Sequence, residues 1–175
     1  MSKLKKIVLT GGPSSGKTSV IKNLRKKRFL CFEEVARNFF IGKGILNSFK
    51  KNPMFISKKI INQRIDDYLV CENKVSKPKG NLCFFDRGIH DSIAYLNYIK
   101  IKNDYEIKLK RFNYSLIFLL DLNKSFFKND INRIETFDQS ISIQKEIELV
   151  YKKFNFEIIN VPWMSVEKRT NFILE

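Results

Sequence analysis

The chain has 175 residues, of which 43% are hydrophobic, 13% aromatic and 29% charged, so disordered, collagen-like and low-complexity proteins are excluded and one domain is expected. Its longest apolar run, residues 116–120, is far below the roughly 20 residues that cross a bilayer, and the first residues lack a secretory pattern, so we expect a cytoplasmic protein. A formal net charge of +15 favours anionic partners such as nucleotides, nucleic acid or acidic membrane.

Short apolar runs alternate with helical repeats from one end of the chain to the other. Strands are predicted over residues 5–10, 29–32, 82–85, 115–120 and 156–161. Helices are predicted after the first strand, after the second as far as residue 40, from 53 to about 75, over 93–99, up to about 154, and from 165 onward. This alternation predicts a parallel sheet covered on both faces, with ligands bound beyond the carboxyl ends of the strands.

A glycine-rich motif follows the first predicted strand. Residues 11–18 read Gly-Gly-Pro-Ser-Ser-Gly-Lys-Thr and fit G-x-x-x-x-G-K-[ST] without a mismatch, in the strand-loop-helix context that the motif requires. Backbone amides in such a loop wrap a polyphosphate, the lysine reaches the outer phosphates, and the hydroxyl ligates Mg²⁺. The predicted nucleotide-binding residues are Gly11, Gly12, Pro13, Ser14, Ser15, Gly16, Lys17 and Thr18.

Charged residues close the second and third predicted strands. Asp86 stands where a carboxylate would hold Mg²⁺, and Arg87 beside it would clamp phosphate or substrate, although a salt bridge or helix cap would also explain the pair. Glu34 and Arg37, three residues apart, would present a base and a guanidinium to an acceptor, or form a surface ion pair.

Residues 122–135 are predicted to form a lid after the fourth strand. There Arg133, three residues after Asp130, would act as an arginine finger, or belong to a solvated helix start. The only histidine, His90, is interpreted as a helix-start or packing residue, and Trp163 as a core residue that could alternatively flank a nucleotide base.

The remaining residue patterns limit the partners. The excess of lysine, together with abundant Asn, Ile and Phe, is what AT-rich coding sequence produces without any selection for a partner. The basic clusters lack the aromatic platform of single-strand binders, so nucleic acid is disfavoured, while contact with acidic lipid stays open. Cys31, Cys71 and Cys83 are odd in number and widely spaced, and are predicted to be reduced packing residues.

These segments together resemble the small AAA-type P-loop domain that is shared with the ribosylnicotinamide kinase part of NadR, and more distantly nucleoside and thymidylate kinases. The resemblance is carried by residues 11–18, 34–37, 84–88 with Asp91 and 94–95, 130–133, 161–162 and 166–169. It implies a three-layer α/β P-loop NTPase fold over residues 1–175, with a five-stranded parallel sheet in the order 2-3-1-4-5 and a small helical lid. Ser14, where glycine is common, and His90, where proline is frequent, depart from the pattern.

We therefore expect a kinase that uses ATP, or alternatively GTP, with Mg²⁺ to phosphorylate a hydroxyl of a nucleoside or nucleoside-like small molecule. The expected catalytic residues are Lys17, Glu34, Asp86, Arg87 and Arg133, the substrate-binding residues are Glu34, Arg37 and Arg87, and the metal ligands are Thr18 and Asp86. Two alternatives stay open: a nucleotide-dependent switch with an anionic partner, and a nucleic-acid-binding ATPase. The sequence gives no indication of the oligomeric state.

Overall fold

Five parallel strands form one sheet in the order β2-β3-β1-β4-β5. The structure is a computed structural model that describes residues 4–35, 52–73, 78–127 and 135–175. The strands are β1 Lys5–Thr10, β2 Leu30–Phe32, β3 Leu82–Asp86, β4 Leu116–Leu120 and β5 Ile158–Val161. The predicted α/β class and strand order are both confirmed.

Helices connect the strands and cover both faces of the sheet. In the described residues they are α1 Lys17–Lys26, α2 Pro53–Glu72, α3 Asp91–Tyr98, α4 Tyr105–Leu109, α5 Phe137–Lys153 and α6 Val166–Leu174, with 3-10 turns at Lys79–Asn81 and Lys124–Phe126. Local sequence determines several helix starts. The Asn52 side chain accepts a hydrogen bond from the amide of Phe55 with proline at the first helical position, and Thr136 and Gln139 form a capping box.

The core lies in two layers because successive residues of each strand face opposite sides of the sheet. On one side Val8 packs in a cluster with buried residues of α2, α3 and α5. On the other side Ile7 and Leu9 pack in a cluster with buried residues of α1 and α6. The central strand β1 is therefore held from both faces, and its carboxyl end is a rigid base for the loop that follows it.

The pairing register places two segments of interest side by side. Leu9 of β1 is opposite Asp86 of β3, so the loop after β1 and the residues after β3 leave the sheet at the same level. The amide of Arg87 donates to the carbonyl oxygen of Leu9 at 3.0 Å and continues this pairing beyond the strand.

One prediction about the cysteines is wrong. Cys71 and Cys83 form a disulfide that joins the last turn of α2 to β3, with their Cα atoms 6.8 Å apart, whereas Cys31 is a free, buried thiol. Neither the residues beside Cys71, Val70 and Glu72, nor those beside Cys83, Leu82 and Phe84, indicate this pairing.

Two further predictions concern parts of the chain outside the described residues. Residues 36–40 of the predicted helix and residues 128–134 of the predicted lid, which was expected over 122–135, lie there. Within the described residues, no helix has the length and apolar character needed to span a membrane.

Candidate functional site

The loop of residues 11–16 has the backbone shape that its glycines permit. Gly11 has φ +140°, and a Cβ there would lie 2.7 Å from the carbonyl oxygen of Leu120, so this position requires glycine. Ser14 has φ +64°, in the left-handed region. This is the position where the sequence departs from the usual glycine, and the backbone has kept the conformation that glycine favours.

Lys17 folds back over this loop. Its Nζ atom donates to the carbonyl oxygens of Gly11 at 3.0 Å and Gly12 at 2.8 Å, and to Ser15 Oγ at 3.0 Å. The side chain is almost entirely buried. The ammonium group is thus held over the loop by exchangeable oxygen acceptors, which phosphate oxygens could replace.

Thr18 and Asp86 meet across the ends of α1 and β3. Thr18 Oγ1 donates to Asp86 Oδ2 at 3.0 Å, while Asp86 Oδ1 is buried and has no hydrogen-bond partner among the described residues. Burial, and next the nearby Glu34 carboxylate, raise the pKa of Asp86 to about 6. A hydroxyl and a carboxylate with an unpartnered oxygen form a donor set that fits Mg²⁺.

Arg87 connects the glycine-rich loop to the acid that follows β2. Its Nε donates to Glu34 Oε1 at 3.0 Å and its Nη1 to the carbonyl oxygen of Gly11 at 3.1 Å. The guanidinium lies 5.2 Å from the centre of the Tyr95 ring, and the Arg87 backbone has φ +73°. A non-glycine residue in this conformation is strained, and such strain concentrates at functional sites.

Asp91 is a buried carboxylate that supports Arg87. It accepts hydrogen bonds from Arg87 Nη1 at 3.3 Å, from the Gly88 amide at 2.9 Å, from Tyr151 Oη at 2.6 Å and from the hydroxyl of Thr10. Burial alone would raise its pKa, but the neighbouring guanidinium groups and the hydrogen bonds hold the pKa below its usual value. Asp91 is not among the predicted site residues, although its place four residues after Arg87, at a helix start, was a usable signal.

The structure thus brings together Lys17, Thr18, Glu34, Asp86 and Arg87 at the carboxyl ends of β1, β2 and β3. Arg37 and Arg133, together with Asp130, lie outside the described residues. Their roles therefore stay predictions.

His90 and Trp163 are both placed by the structure. His90 is fully buried, with its ring 4.4 Å from that of Phe154 and 5.0 Å from that of Phe156, in agreement with a packing role. Trp163 is half-buried and stacks on Phe126 at 5.2 Å. Its ring also contacts the guanidinium of Arg169, a residue quoted in the resemblance without any role.

A cavity of about 380 Å³ lies between β2 and α2. Its lining includes Glu33 and Val35, on either side of Glu34, and Gln63 and Asp67 of α2, but no residue of the loop 11–18. The cavity is therefore beside the cluster of site residues rather than part of it.

The strand order and the glycine-rich loop between β1 and α1 define a P-loop protein. A family model described as "AAA domain" matches residues 6–169. The chain belongs to this AAA-type P-loop family. Among curated protein sequences none matches it significantly.

Solved structures with the same fold are distant in sequence. Deoxyadenosine kinase from M. mycoides with bound dATP has a TM-score of 0.71 and 14% identity, over 97% of each chain. Thymidylate kinase from Candida albicans has a TM-score of 0.67 and 16% identity, over 99% of this chain and 91% of that one. NadR in complex with NR has a TM-score of 0.66 and 15% identity, over 90% of this chain and 43% of the NadR chain. At such identities the likeness shows a shared fold.

Proposed function

We propose that this protein is a P-loop kinase that transfers the γ-phosphoryl group of ATP to a hydroxyl of a nucleoside or nucleoside-like acceptor. The observation that carries the proposal is the contact chain from Glu34 through Arg87 to the carbonyl of Gly11, which places a carboxylate beside the glycine-rich loop. A carboxylate there can accept the proton of an acceptor hydroxyl, as it can that of water in a hydrolase, and the screen of acceptors below distinguishes the two. The fold shared with deoxyadenosine kinase, thymidylate kinase and NadR supports the same reaction class.

The loop and its lysine bind the nucleotide in this proposal. Backbone amides of this loop are the proposed phosphate donors, although the Gly12 amide donates to Gln144 Oε1 and the Ser15 amide to the Gly12 carbonyl oxygen in this structure. Lys17 exchanges its carbonyl partners for β- and γ-phosphate oxygens. Thr18 and Asp86 hold Mg²⁺, which when bound neutralises charge on the β- and γ-phosphates. GTP is the alternative donor, because nothing in this loop distinguishes the two bases.

Glu34 and the arginines act on the acceptor. Glu34 accepts the proton of the acceptor hydroxyl while that oxygen bonds to the γ-phosphorus and the bond to the β-phosphate oxygen breaks, which releases ADP. Arg87 holds Glu34 in place and neutralises transferring charge, and Arg37 and Arg133 are proposed to contact the acceptor and the transferring phosphoryl group. A neutral acceptor is favoured over a nucleoside monophosphate because a carboxylate would repel an acceptor phosphate.

A screen of acceptors with purified protein tests this proposal. Nucleosides, nicotinamide riboside and nucleoside monophosphates are each offered with ATP and Mg²⁺, and hydrolysis without acceptor is the control. Acceptor-dependent ADP release is expected with a member of the first two groups. Hydrolysis that no acceptor stimulates would contradict the kinase and favour the nucleotide-dependent switch.

Two variants separate nucleotide binding from acceptor chemistry. We expect Lys17→Ala to abolish tight ATP binding and turnover, because the loop loses its only ammonium group. We expect Glu34→Gln to bind ATP as the wild type does but to lose acceptor phosphorylation by about 100-fold, the lower range for a general base. Isothermal titration with ATP and a coupled ADP assay measure the two effects, and retained acceptor turnover in Glu34→Gln would show that the base is another group.

A further inference from the structure

Arg169 of α6 lies against the outer side of the glycine-rich loop. Its Nη1 atom donates to the carbonyl oxygen of Ser15 at 2.8 Å, and its guanidinium carbon is 4.6 Å from the centre of the Trp163 ring. The residue is 3% exposed, and its Nε atom has no hydrogen-bond partner among the described residues. Burying a cation with an incomplete set of hydrogen bonds costs free energy, so the placement of Arg169 needs a compensating role.

The loop is shaped to accommodate this guanidinium. Gly16 has φ +84°, and a Cβ at that position would lie 2.8 Å and 2.9 Å from the two terminal nitrogens of Arg169. Glycine is therefore needed at residue 16 for two reasons: its left-handed backbone and the close approach of Arg169. The contact is a direct packing of side chain on loop backbone, between residues that are 154 positions apart.

The geometry of the peptide bond gives this contact a consequence on the inner side of the loop. Every described peptide bond is trans, and in a trans peptide the C=O and the following N–H point in opposite directions. The Ser15 carbonyl is directed toward Arg169, so the Gly16 N–H is directed away from α6. A charged donor on the carbonyl also polarises the peptide and makes its N–H a stronger donor.

We propose that Arg169 is a positioning residue of the phosphate site, which holds the Ser15–Gly16 peptide so that the Gly16 amide faces the bound polyphosphate. The inference rests on the proposed nucleotide binding by this loop. It adds a residue of α6, outside the motif of residues 11–18, to the set that determines polyphosphate affinity. Arg169 acts through the loop backbone and does not touch the phosphates.

A purely structural role would be to dock α6 on α1. The same pair of helices is also joined by a hydrogen bond from Asn23 Nδ2 to Thr170 Oγ1 at 3.0 Å, which does not involve the loop. Asn23→Ala therefore weakens the docking of α6 and leaves the Ser15–Gly16 peptide alone. Lys168→Gln is the matched control for charge, because it removes one positive charge from an exposed neighbour on the same helix.

The test is the affinity for ATP with Mg²⁺, and separately for inorganic tripolyphosphate, measured by isothermal titration. Arg169→Gln is expected to weaken both by at least about tenfold, the lower bound for loss of a charge-assisted hydrogen bond. Asn23→Ala and Lys168→Gln are expected to stay within about twofold of wild type, the ordinary scale of surface changes. Arg169→Lys, which keeps one donor and the charge, is expected to recover part of the loss and replaces Arg169→Gln if that variant does not fold.

The outcomes separate this inference from the proposed function. Wild-type protein that binds neither ATP nor tripolyphosphate would refute nucleotide binding itself. Wild-type binding that Arg169→Gln, or Arg169→Lys where only that variant folds, retains in full would overturn only the role of Arg169. An equal loss in Asn23→Ala would also overturn it, because the effect would then come from helix docking.

Discussion

The Asp86 side chain is buried and also incompletely hydrogen-bonded, and these two properties together suit it to bind a cation. Its carboxylate is buried, which disfavours the charged form, yet one of its oxygens has no partner among the described residues. An arrangement of this kind suits a carboxylate that is completed by a cation when the site is filled. In our proposal that cation is Mg²⁺, shared with Thr18.

The substitution Asp86→Asn tests this interpretation by removing the charge while keeping the shape. We expect wild-type ATP affinity to fall strongly when Mg²⁺ is replaced by EDTA, and the affinity of Asp86→Asn to change by less than about threefold, because the variant has lost its anionic ligand. Titration calorimetry with and without Mg²⁺ measures both. Asp66→Asn, an exposed carboxylate on α2, is the control, and an equal Mg²⁺ effect in Asp86→Asn and wild type would exclude Asp86 as a ligand.

His90 makes the stability of the protein depend on pH. Burial lowers the pKa of its imidazole to about 4 from an ordinary 6.5, although Asp91 opposes the shift, so the folded state holds the neutral ring. Between these two values the unfolded chain binds the proton more readily. The stabilising contribution is therefore complete above pH 6.5 and is lost as the pH falls toward 4.

We expect this group to lower the free energy of unfolding by about 2 kcal/mol between pH 7.5 and pH 5, the value for a single site with these two pKa values. Urea unfolding at both pH values measures it in the wild type and in His90→Phe, whose ring suits the aromatic surroundings. The carboxylates titrate alike in both proteins, so the difference between the two pH dependences isolates His90. Equal pH dependences would mean that His90 does not contribute.

Among the secondary-structure elements, capping residues in the sequence predict where several helices begin, and runs of apolar residues predict where the strands lie. Asn52 before Pro53, and Ser165 before α6, are N-terminal caps that can be found in the sequence, and the structure has both. Three strands, β2, β4 and β5, were predicted one or two residues too long at their amino ends. In β5 the reason is that the apolar Phe156 packs against the core although it lies outside the hydrogen-bonded ladder. The short helix α4 was missed, since five residues show no helical repeat.

The disulfide between α2 and β3 is an element-scale feature with a direct chemical test. Purified protein unfolded without reductant should give one reactive thiol per chain, from Cys31, and three after reduction. Reduction should lower the free energy of unfolding by about 3 kcal/mol, the loop-entropy value for a loop of this length. Cys71→Ser should remove that response and Cys31→Ser should keep it. Three thiols in the unreduced protein would restore the original sequence prediction.

For the whole molecule, the sequence pattern predicted alternating strands and helices, whereas the strand order came from the family resemblance. Alternation defines the class of sheet but does not say which strands are neighbours. Lys17 was predicted because it belongs to the glycine-rich motif, and Asp86 because it closes a predicted strand. Arg169 was missed as a site residue because its partner Ser15 is 154 positions away, and no local pattern records such a contact. Asp91 had a local signal in its spacing from Arg87, but its contact with Tyr151 is likewise distant in sequence.

The contact from Arg169 to Ser15 joins α6 to a loop near the start of the chain, so this loop can become fully supported only late in synthesis. Residues 11–18 leave the ribosome early, but the amide of Gly12 meets Gln144 Oε1, and the carbonyl of Ser15 meets Arg169, only after α5 and α6 have been translated. A nascent chain would contain the complete motif long before the two contacts that support the loop could form. Under our proposal for Arg169, nucleotide would bind tightly only after the final helices have docked, and would then stabilise the folded molecule.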